Sequence, residues 1–369
     1  MTTTSQCTGE SLAWLGLALV DGLTPGRART LARRLGGPEA VLKASAATLV
    51  AAGVEAAVVT AIRSAPARTE RELARIEAAG ARLVALGARD YPTRLMQLAD
   101  PPLVLAVRGW LACSEGLAVA VVGARRASAY GRRVAEELAV GLAGAGVTVV
   151  SGLAAGIDAA AHRGALAAGG ETIAVMGTGI DLVYPPAHAP LAGEIAVHGA
   201  LVSEFPCGAP PLAFHFPRRN RLISGFAAGV VVVEAAERSG SLITVGCALE
   251  QGREVFAVPG PVGVAGHRGP HRLIQQGAKL VTTAEDILEE LAPALVSRVA
   301  TARARAAEAS LTAVERQVLD ALGREGGHVD EVIRRAALSA PATLETLLAL
   351  ELRGVVRQAP GKHFQRCAA

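Results

Sequence analysis

The chain has 369 residues, a formal net charge of +4 and a hydrophobic content of 51%, enough apolar surface for two or three domains. This composition excludes an intrinsically disordered chain. The small positive charge permits a nucleic-acid partner without requiring one. The five cysteines include no Cys-x-x-Cys pair, which argues against a disulfide scaffold and a zinc site. We therefore expect no metal and no cofactor.

The apolar and polar runs indicate a protein without a membrane partner. The first ten residues are polar and carry no charge before Glu10, unlike a signal peptide. No apolar run reaches the roughly 18 residues that cross a bilayer without Gly, Pro or charge in between. We expect a cytoplasmic protein.

The amino-terminal segment, residues 1–109, is predicted to be helical, with short amphipathic stretches separated by Gly and Pro. The turn from Gly22 to Gly26 lies between an apolar helix and the basic helix 27–35. Such a turn presents helix-start amides to a DNA phosphate in helix-hairpin-helix modules, or it simply joins two packed helices. Both interpretations stay open.

The next segment, residues 110–295, alternates short apolar runs with helical patterns. The predicted strands are 118–123, 147–151, 172–177, 200–203, 230–234 and 254–259, and the predicted helices include 129–143, 157–168 and 243–251. Strands that are apolar on both faces and alternate with helices predict a doubly wound α/β domain with a parallel sheet. Ligands bind such sheets at the carboxyl ends of the strands.

The carboxy-terminal part is separated by an Ala/Arg-rich linker, residues 296–309. Within residues 310–369, helices are predicted at 312–322, 328–336 and 341–353, followed by a hairpin around Pro360-Gly361. Three helices and a terminal hairpin predict a winged helix.

The loop after the first predicted strand is Gly123-Ala-Arg-Arg-Ala-Ser128. Gly123 permits close approach of a ligand to the backbone, and Ser128 is placed to cap the following helix. Helix amides together with Arg125 and Arg126 suit a phosphate. The spacing is not the Gly-x-Gly-x-x-Gly dinucleotide fingerprint. The alternative is a structural turn with solvated arginines.

The loop after the second predicted strand, Ser151-Gly-Leu-Ala-Ala-Gly-Ile-Asp158, also offers candidate binding residues. They are Ser151, Gly152, Gly156 and Asp158. Asp158 either interacts with the start of the following helix or holds Arg125 or Arg126 in place. It would also be able to order His162, one helical turn further on.

Basic and aromatic residues are concentrated in one short stretch. Its candidate binding residues are Phe214, His215, Arg218, Arg219, Asn220 and Arg221. Charge for the backbone and a ring for base stacking are what single-stranded nucleic acid requires. The alternative places Phe216 in the core and pairs the arginines locally.

A further loop, after the strand at 230–234, contains Ser239, Gly240 and Ser241 at a helix start that suits phosphate. Glu234 and Glu250 nearby are candidate acids for an enzymatic alternative. A Walker A loop is excluded because the Gly361-Lys362 pair is followed by His. Neither His-Glu-x-x-His nor Gly-x-Ser-x-Gly occurs.

Together these motifs resemble the bacterial DprA/Smf (DNA-processing protein A) family. The stretches that carry the resemblance are 123–128, 151–162, 216–225, 237–244 and 258–260, with Asp90-Tyr-Pro92 and Asp100-Pro-Pro102. The resemblance implies a helical domain of sterile-alpha-motif type, an extended Rossmann domain and a winged helix. Its function would be to bind incoming single-stranded DNA in natural transformation, as a homodimer that loads the RecA recombinase, without catalysis.

The resemblance also implies which residues form the DNA pocket, and this chain differs from relatives at two points. The family's pocket corresponds to Gly123, Arg125 and Ser128, to the loop 151–158 and to the stretch 214–221. Ala124 stands where many relatives have Ser, and Arg218 or Arg219 would replace lysines that bind DNA in some members.

Three functional hypotheses follow. In the first, Arg125, Arg126, Arg218, Arg219 and Arg221 bind phosphates of single-stranded DNA, and Phe214 or His215 stacks a base. The second is a nucleotide-processing phosphoribohydrolase, which the low glycine density at 239–244 disfavours. The third is a reader of duplex DNA through helix 341–353, whose leucines, Glu345 and Glu351 suit a major groove poorly.

Overall fold

The computed structural model describes residues 8–111, 116–299, 311–323, 326–352 and 355–366 and is built around a nine-stranded sheet. Its strands are β1 Arg82–Ala85, β2 Val104–Gly109, β3 Ala118–Val122, β4 Thr148–Ser151, β5 Thr172–Val175, β6 Ala200–Ser203, β7 Gly229–Val232, β8 Glu254–Ala257 and β9 Lys279–Leu280. The spatial order is β1-β2-β6-β5-β4-β3-β7-β8-β9. The strands from β6 to β9 are parallel, whereas β1 and β2 pair antiparallel.

This sheet confirms the predicted α/β class, and all six predicted strands occur, with ends shifted by at most two residues. β3 lies between β4 and β7: the chain runs from β3 outward through β4, β5 and β6 on one side and then crosses over to β7 on the other side. A crevice opens at the carboxyl ends of strands at such a switch point.

Helices cover both faces of the sheet: α7 Ala129–Gly144, α8 Ile157–Ala167, α9 Ala189–His198, α10 His215–Phe226, α11 Ser241–Glu250, α12 Arg268–Gln275 and α13 Ala284–Leu291. α7 and α8 pack with their backbones close together, because a Cβ added to Gly164 would lie 2.4 Å from the carbonyl oxygen of Glu136. Small residues thus build much of a core that contains few aromatic rings.

The helices before β1 are α1 Gly9–Ala18, α2 Pro25–Leu35, α3 Pro38–Lys43, α4 Ala46–Ala51 and α5 Ala56–Ala78, and α6 Thr93–Met96 follows β1. The prediction of helix as far as residue 109 is wrong for residues 82–85 and 104–109, because β1 and β2 extend the main sheet. Both strands are short apolar runs, and periodicity alone does not separate a buried strand from a buried helix.

Two contacts of the amino-terminal helices bear on the predictions. In the Gly22–Gly26 turn, the Thr24 hydroxyl accepts the amide of Arg27 at 3.3 Å and caps α2. From α5, the buried carboxylate of Glu72 accepts the Cys207 amide at 2.6 Å, which holds the chain that leads into α10. Whether the turn also binds a phosphate stays a prediction.

The carboxy-terminal elements are α14 Ala313–Leu322, β10 Gly327–His328, α15 Val329–Ala336, α16 Ala340–Leu352, β11 Val356–Ala359 and β12 His363–Arg366. The three strands pair in the order β10-β12-β11 and, with the three helices, form the predicted winged helix. Arg353 and residues 300–309 lie outside the described residues. Val299 is fully buried in the core beside α7 and α13, so the predicted linker begins later than residue 296.

None of the helices in the described ranges combines the length and the apolar composition that crossing a membrane requires.

Candidate nucleic-acid interface

An open cleft of about 700 Å³ lies at the carboxyl ends of β3 and β7. Its lining comes from the segments 122–126, 211–223 and 236–244, together with Ala154, Asp158 and Tyr184. The structure thus brings residues from all four predicted binding segments to one place. We call the loop Gly123–Ser128 the first wall and the stretch Phe214–Arg221 the second wall.

The first wall is pressed against the start of α8. A Cβ added to Gly123 would lie 2.6 Å from Cγ1 of Ile157, and one added to Gly156 would lie 2.2 Å from the carbonyl oxygen of Ala124. Gly156 also has a φ of +82°, which a side chain rarely permits. These two glycines therefore let the first wall pack directly against the start of α8.

Arg125 and Arg126 are exposed on this wall. The Arg125 guanidinium carbon lies 4.8 Å from the centre of the Phe216 ring, a distance typical of a cation–π contact. Within the described residues, neither side chain forms an ion pair or a hydrogen bond. Two unneutralised guanidiniums beside an open cleft are well suited to a polyanion.

Ser128 caps α7 as predicted, because its hydroxyl accepts the Gly131 amide at 3.0 Å. The same hydroxyl donates its proton to Glu234, and the Ser128 amide donates to the other carboxylate oxygen at 2.9 Å. A hydroxyl has one proton to give, so this one is not free for a phosphate. The predicted contact of Ser128 with DNA does not fit this arrangement.

The second predicted loop is mostly buried. The Ser151 hydroxyl donates to the carbonyl of Val121 at 2.7 Å. Asp158 accepts the amides of Gly152 at 3.1 Å and Ala154 at 3.3 Å. Burial raises the pKa of Asp158, while the nearby Arg219 and these amides act to lower it. Asp158 thus shapes its own loop and does not hold Arg125 or Arg126.

His162 is also independent of Asp158. Its ring bonds to the Thr172 hydroxyl at 2.7 Å, and burial lowers the pKa of His162 to about 3. The imidazole is therefore neutral in the folded protein.

In the second wall, Arg219 is only 4% exposed. Its guanidinium donates to the carbonyl of Gly152 at 2.7 Å and to that of Val175, and a Cβ at Gly152 would lie 2.6 Å from it. Burial lowers the pKa of Arg219 to about 10, so the side chain remains charged near neutrality. It ties α10 to β5 and to the loop after β4, and a direct phosphate contact does not fit its position.

The neighbouring arginines face Glu204. Arg221 donates to Glu204 and to the carbonyl of Asp100 at 2.7 Å. Arg218 is half-exposed, lies 3.6 Å from the same carboxylate and covers the ring of Phe205. The alternative of locally paired arginines therefore describes both, and neither lines the cleft.

The aromatic residues of the second wall are also divided. His215 is buried and stacks on Phe205 with the ring centres 4.2 Å apart, so it offers no face to a base. Phe214 is 67% exposed, and Phe216 lines the cleft. Sequence reasoning missed Tyr184, whose ring lies 6.0 Å from that of Phe216. The chain has only three tyrosines, and this scarcity was the sequence signal that could have drawn attention to Tyr184.

The third predicted loop, after β7, borders the cleft with Ser239, Gly240 and Ser241. The two serine hydroxyls bond to each other at 2.8 Å, and Asn220 donates to the carbonyl of Gly240 at 3.2 Å. Glu234 is buried on Ser128, and Glu250 is exposed outside the cleft lining. Among the described residues, no three His, Cys, Asp or Glu side chains are grouped as metal ligands would be.

The winged helix exposes leucines on α16. Leu344, Leu348 and Leu352 are exposed at one-turn spacing, and the helix contains no Arg or Lys from Ala340 to Leu352. Such a face lacks the cations that contact DNA phosphates.

Comparison with known proteins shows similarity along most of the chain. The family model for DNA recombination-mediator protein A matches residues 82–292, and that for the DprA winged helix domain matches residues 302–362. Protein Smf of Escherichia coli (strain K12) is 45% identical over 305 residues, which cover 80% of this chain and 80% of that protein. DNA processing protein DprA of Streptococcus pneumoniae is 48% identical over 200 residues, 54% of this chain and 71% of that one.

Two solved structures resemble the fold. The X-ray structure of DNA processing protein A from Streptococcus pneumoniae has a TM-score of 0.65 and 36% identity, over 77% of this chain and 98% of that chain. A structure of DNA processing protein A from Helicobacter pylori, described for the single-stranded DNA binding mode of that protein, has a TM-score of 0.52 and 27% identity. It covers 58% of this chain and 97% of that chain.

Proposed function

Because this chain belongs to the DNA recombination-mediator protein A family, also named DprA or Smf, we propose that it binds single-stranded DNA in the cleft and acts in DNA processing. The observation that carries the proposal is the first wall, where Arg125 and Arg126 are exposed and unneutralised beside the rings of Phe216 and Tyr184. The Helicobacter pylori relative, described as binding single-stranded DNA, supports the same ligand.

Single-stranded DNA suits this surface better than duplex DNA. The guanidiniums would bind backbone phosphates. The exposed ring of Phe214, which does not line the cleft but follows Ala213 at its edge, would stack an unpaired base. A base inside a duplex offers no free face to such a ring. Stacking tolerates any base, so we expect little sequence preference.

The finer parts of the proposal follow from the family. We infer that the protein works as a homodimer, delivers the bound strand to the RecA recombinase and performs no catalysis. A non-enzymatic role is supported by Glu234, the candidate acid of the alternative hypothesis, because this side chain is buried and both of its oxygens accept hydrogen bonds from Ser128.

The proposal is tested with the variant Arg125→Ala/Arg126→Ala and a fluorescent oligo-dT. Fluorescence anisotropy should show affinity lower by about tenfold or more, and a salt slope smaller by about 0.7 for each phosphate that is no longer bound. The matched control is Arg63→Ala/Arg71→Ala, which removes the same charge from the exposed face of α5. Equal affinity and slope for wild type and the cleft variant would refute the cleft as the binding site.

A further inference from the structure

Glu234, which follows β7, lies against both ends of the first wall. Its side chain accepts the amide and the hydroxyl of Ser128. Its backbone carbonyl lies against Gly123, where an added Cβ would come within 2.8 Å of the oxygen. One residue thus contacts the first and the last residue of the loop that carries both arginines.

The carboxylate of Glu234 has no room to turn away from this position. It is 3% exposed, and an added Cβ at Gly131 would lie 2.4 Å from its carboxyl carbon. On its other side, Nε2 of His267 lies 3.8 Å from Oε1 of Glu234. The His267 ring is itself buried and packs edge-on against Tyr130, with ring centres 5.8 Å apart.

We propose that Glu234 is a positioning residue for DNA binding, which fixes Ser128 and thereby the direction in which Arg125 and Arg126 face the cleft. The expected effect on DNA affinity rests on the proposed function. The effect of Glu234 on the order of the loop does not depend on any ligand. Only Ala127, which is buried, separates Arg126 from Ser128, so a displaced Ser128 displaces the neighbouring backbone. Loops that bind with fixed geometry lose less conformational freedom on binding.

The sign of the effect distinguishes positioning from simple electrostatics. Glu234 is an acid next to a site for a polyanion, so loss of its charge alone would raise DNA affinity. In Glu234→Gln the amide oxygen can still accept the Ser128 amide, but the amide nitrogen would have to donate to the Ser128 hydroxyl, so the charge-assisted bond from that hydroxyl to a carboxylate would be lost. Positioning therefore predicts weaker binding from a change that makes the protein more positive.

The affinity test is a double-mutant cycle in the full chain, with oligo-dT and anisotropy. We expect Glu234→Gln to weaken binding about tenfold, or about 1.4 kcal/mol, in the wild-type background. In the Arg125→Ala/Arg126→Ala background the same change should have less than about a twofold effect. The control Glu250→Gln removes an equal charge from an exposed site and should not weaken binding. Equal losses in both backgrounds would overturn the proposal, since they indicate a general structural role.

A second measurement needs no DNA. Hydrogen exchange of peptides that cover residues 123–131 should be faster in Glu234→Gln, with unchanged exchange in α15. Unchanged exchange in the loop would overturn positioning, whether or not the protein binds DNA. If wild type did not bind oligo-dT, the proposed function would be refuted. The hydrogen-exchange result for residues 123–131 would then still show whether Glu234 positions the loop.

If Glu234→Gln does not fold, Ser128→Ala replaces it in both measurements; it removes the bond from the hydroxyl to Glu234 and also the cap on the Gly131 amide. Ser128→Thr retains the hydroxyl and should restore slow exchange and wild-type affinity. A threonine variant as weak as the alanine variant would contradict the role given to the hydroxyl.

Discussion

The first and second walls of the cleft both carry consecutive arginines, but their surroundings differ. Arg125 and Arg126 lie in the open with no carboxylate beside them among the described residues. Arg219 is enclosed by backbone carbonyls, and Arg218 and Arg221 face Glu204. A cluster of arginines in a sequence therefore does not by itself indicate a nucleic-acid contact. Burial and the presence of carbonyls or carboxylates determine which of them serve the ligand and which hold the fold.

The largest expected effect comes from Arg219→Ala. Removing a buried cation from its carbonyls and from the neighbourhood of Asp158 should cost about 3–5 kcal/mol of folding stability. For a domain of this size the melting temperature would fall by about 10 °C. Arg219→Lys, which keeps the charge but not the planar fork, should recover part of the loss.

Urea and thermal unfolding measure this effect, and Arg125→Ala is the matched control from the first wall. The control should stay within about 0.5 kcal/mol of wild type because its guanidinium is exposed and unpaired. If Arg219→Ala kept wild-type stability and lost only DNA affinity, the distinction between the two walls would be wrong.

A smaller loss of folding stability is expected at low pH, because of the buried His162 in α8. The pKa of His162 is about 3 in the folded protein against an ordinary value of 6.5. About one pH unit or more above 6.5 the ring is neutral in both states and adds no pH dependence. Below that, the unfolded chain binds a proton that the folded chain does not, so stability falls by about 1.4 kcal/mol per pH unit until the pH approaches 3.

Urea unfolding between pH 7.5 and pH 5 tests this expectation. His162→Gln should remove about 2 kcal/mol of the loss over that interval. The control His198→Gln, at the exposed end of α9, should change little. If folding stability depended on pH equally in wild type and in His162→Gln, the expected contribution of a buried, neutral His162 would be refuted.

Most of the fold could be predicted from the sequence, with some exceptions. Six of the seven strands of the parallel part of the sheet were predictable because each is a short apolar run followed by a helix, whereas the two-residue strand β9, which includes Lys279, was missed. The family resemblance gave the order of the domains. β1 and β2 were missed because runs such as Arg82–Ala85 have no distinguishing period. The strand that joins them to the main sheet, β6, also lies far along the chain from β2.

For the site, the sequence identified the segments but not the orientation of each side chain. The first turns of α10 carry the stretch Phe214–Arg221, whose side chains point to all sides of the helix. Residues adjacent in the sequence therefore have different environments. His215 stacks inside on Phe205 while Phe214 is exposed. The partners that bury them, such as Glu204 and Gly152, follow other strands and become neighbours only in the folded sheet.

The smallest expected effect is on Phe214, the exposed ring of the second wall. Phe214→Ala should weaken oligo-dT binding by about 1–2 kcal/mol, the contribution of one stacked base, and Phe214→Trp should retain it. Because the ring is exposed, stability should stay within about 0.5 kcal/mol of wild type. The salt slope should not change, since every phosphate remains bound, which separates this variant from Arg125→Ala/Arg126→Ala. Wild-type affinity in Phe214→Ala would confine the interface to the first wall and the rings of Phe216 and Tyr184.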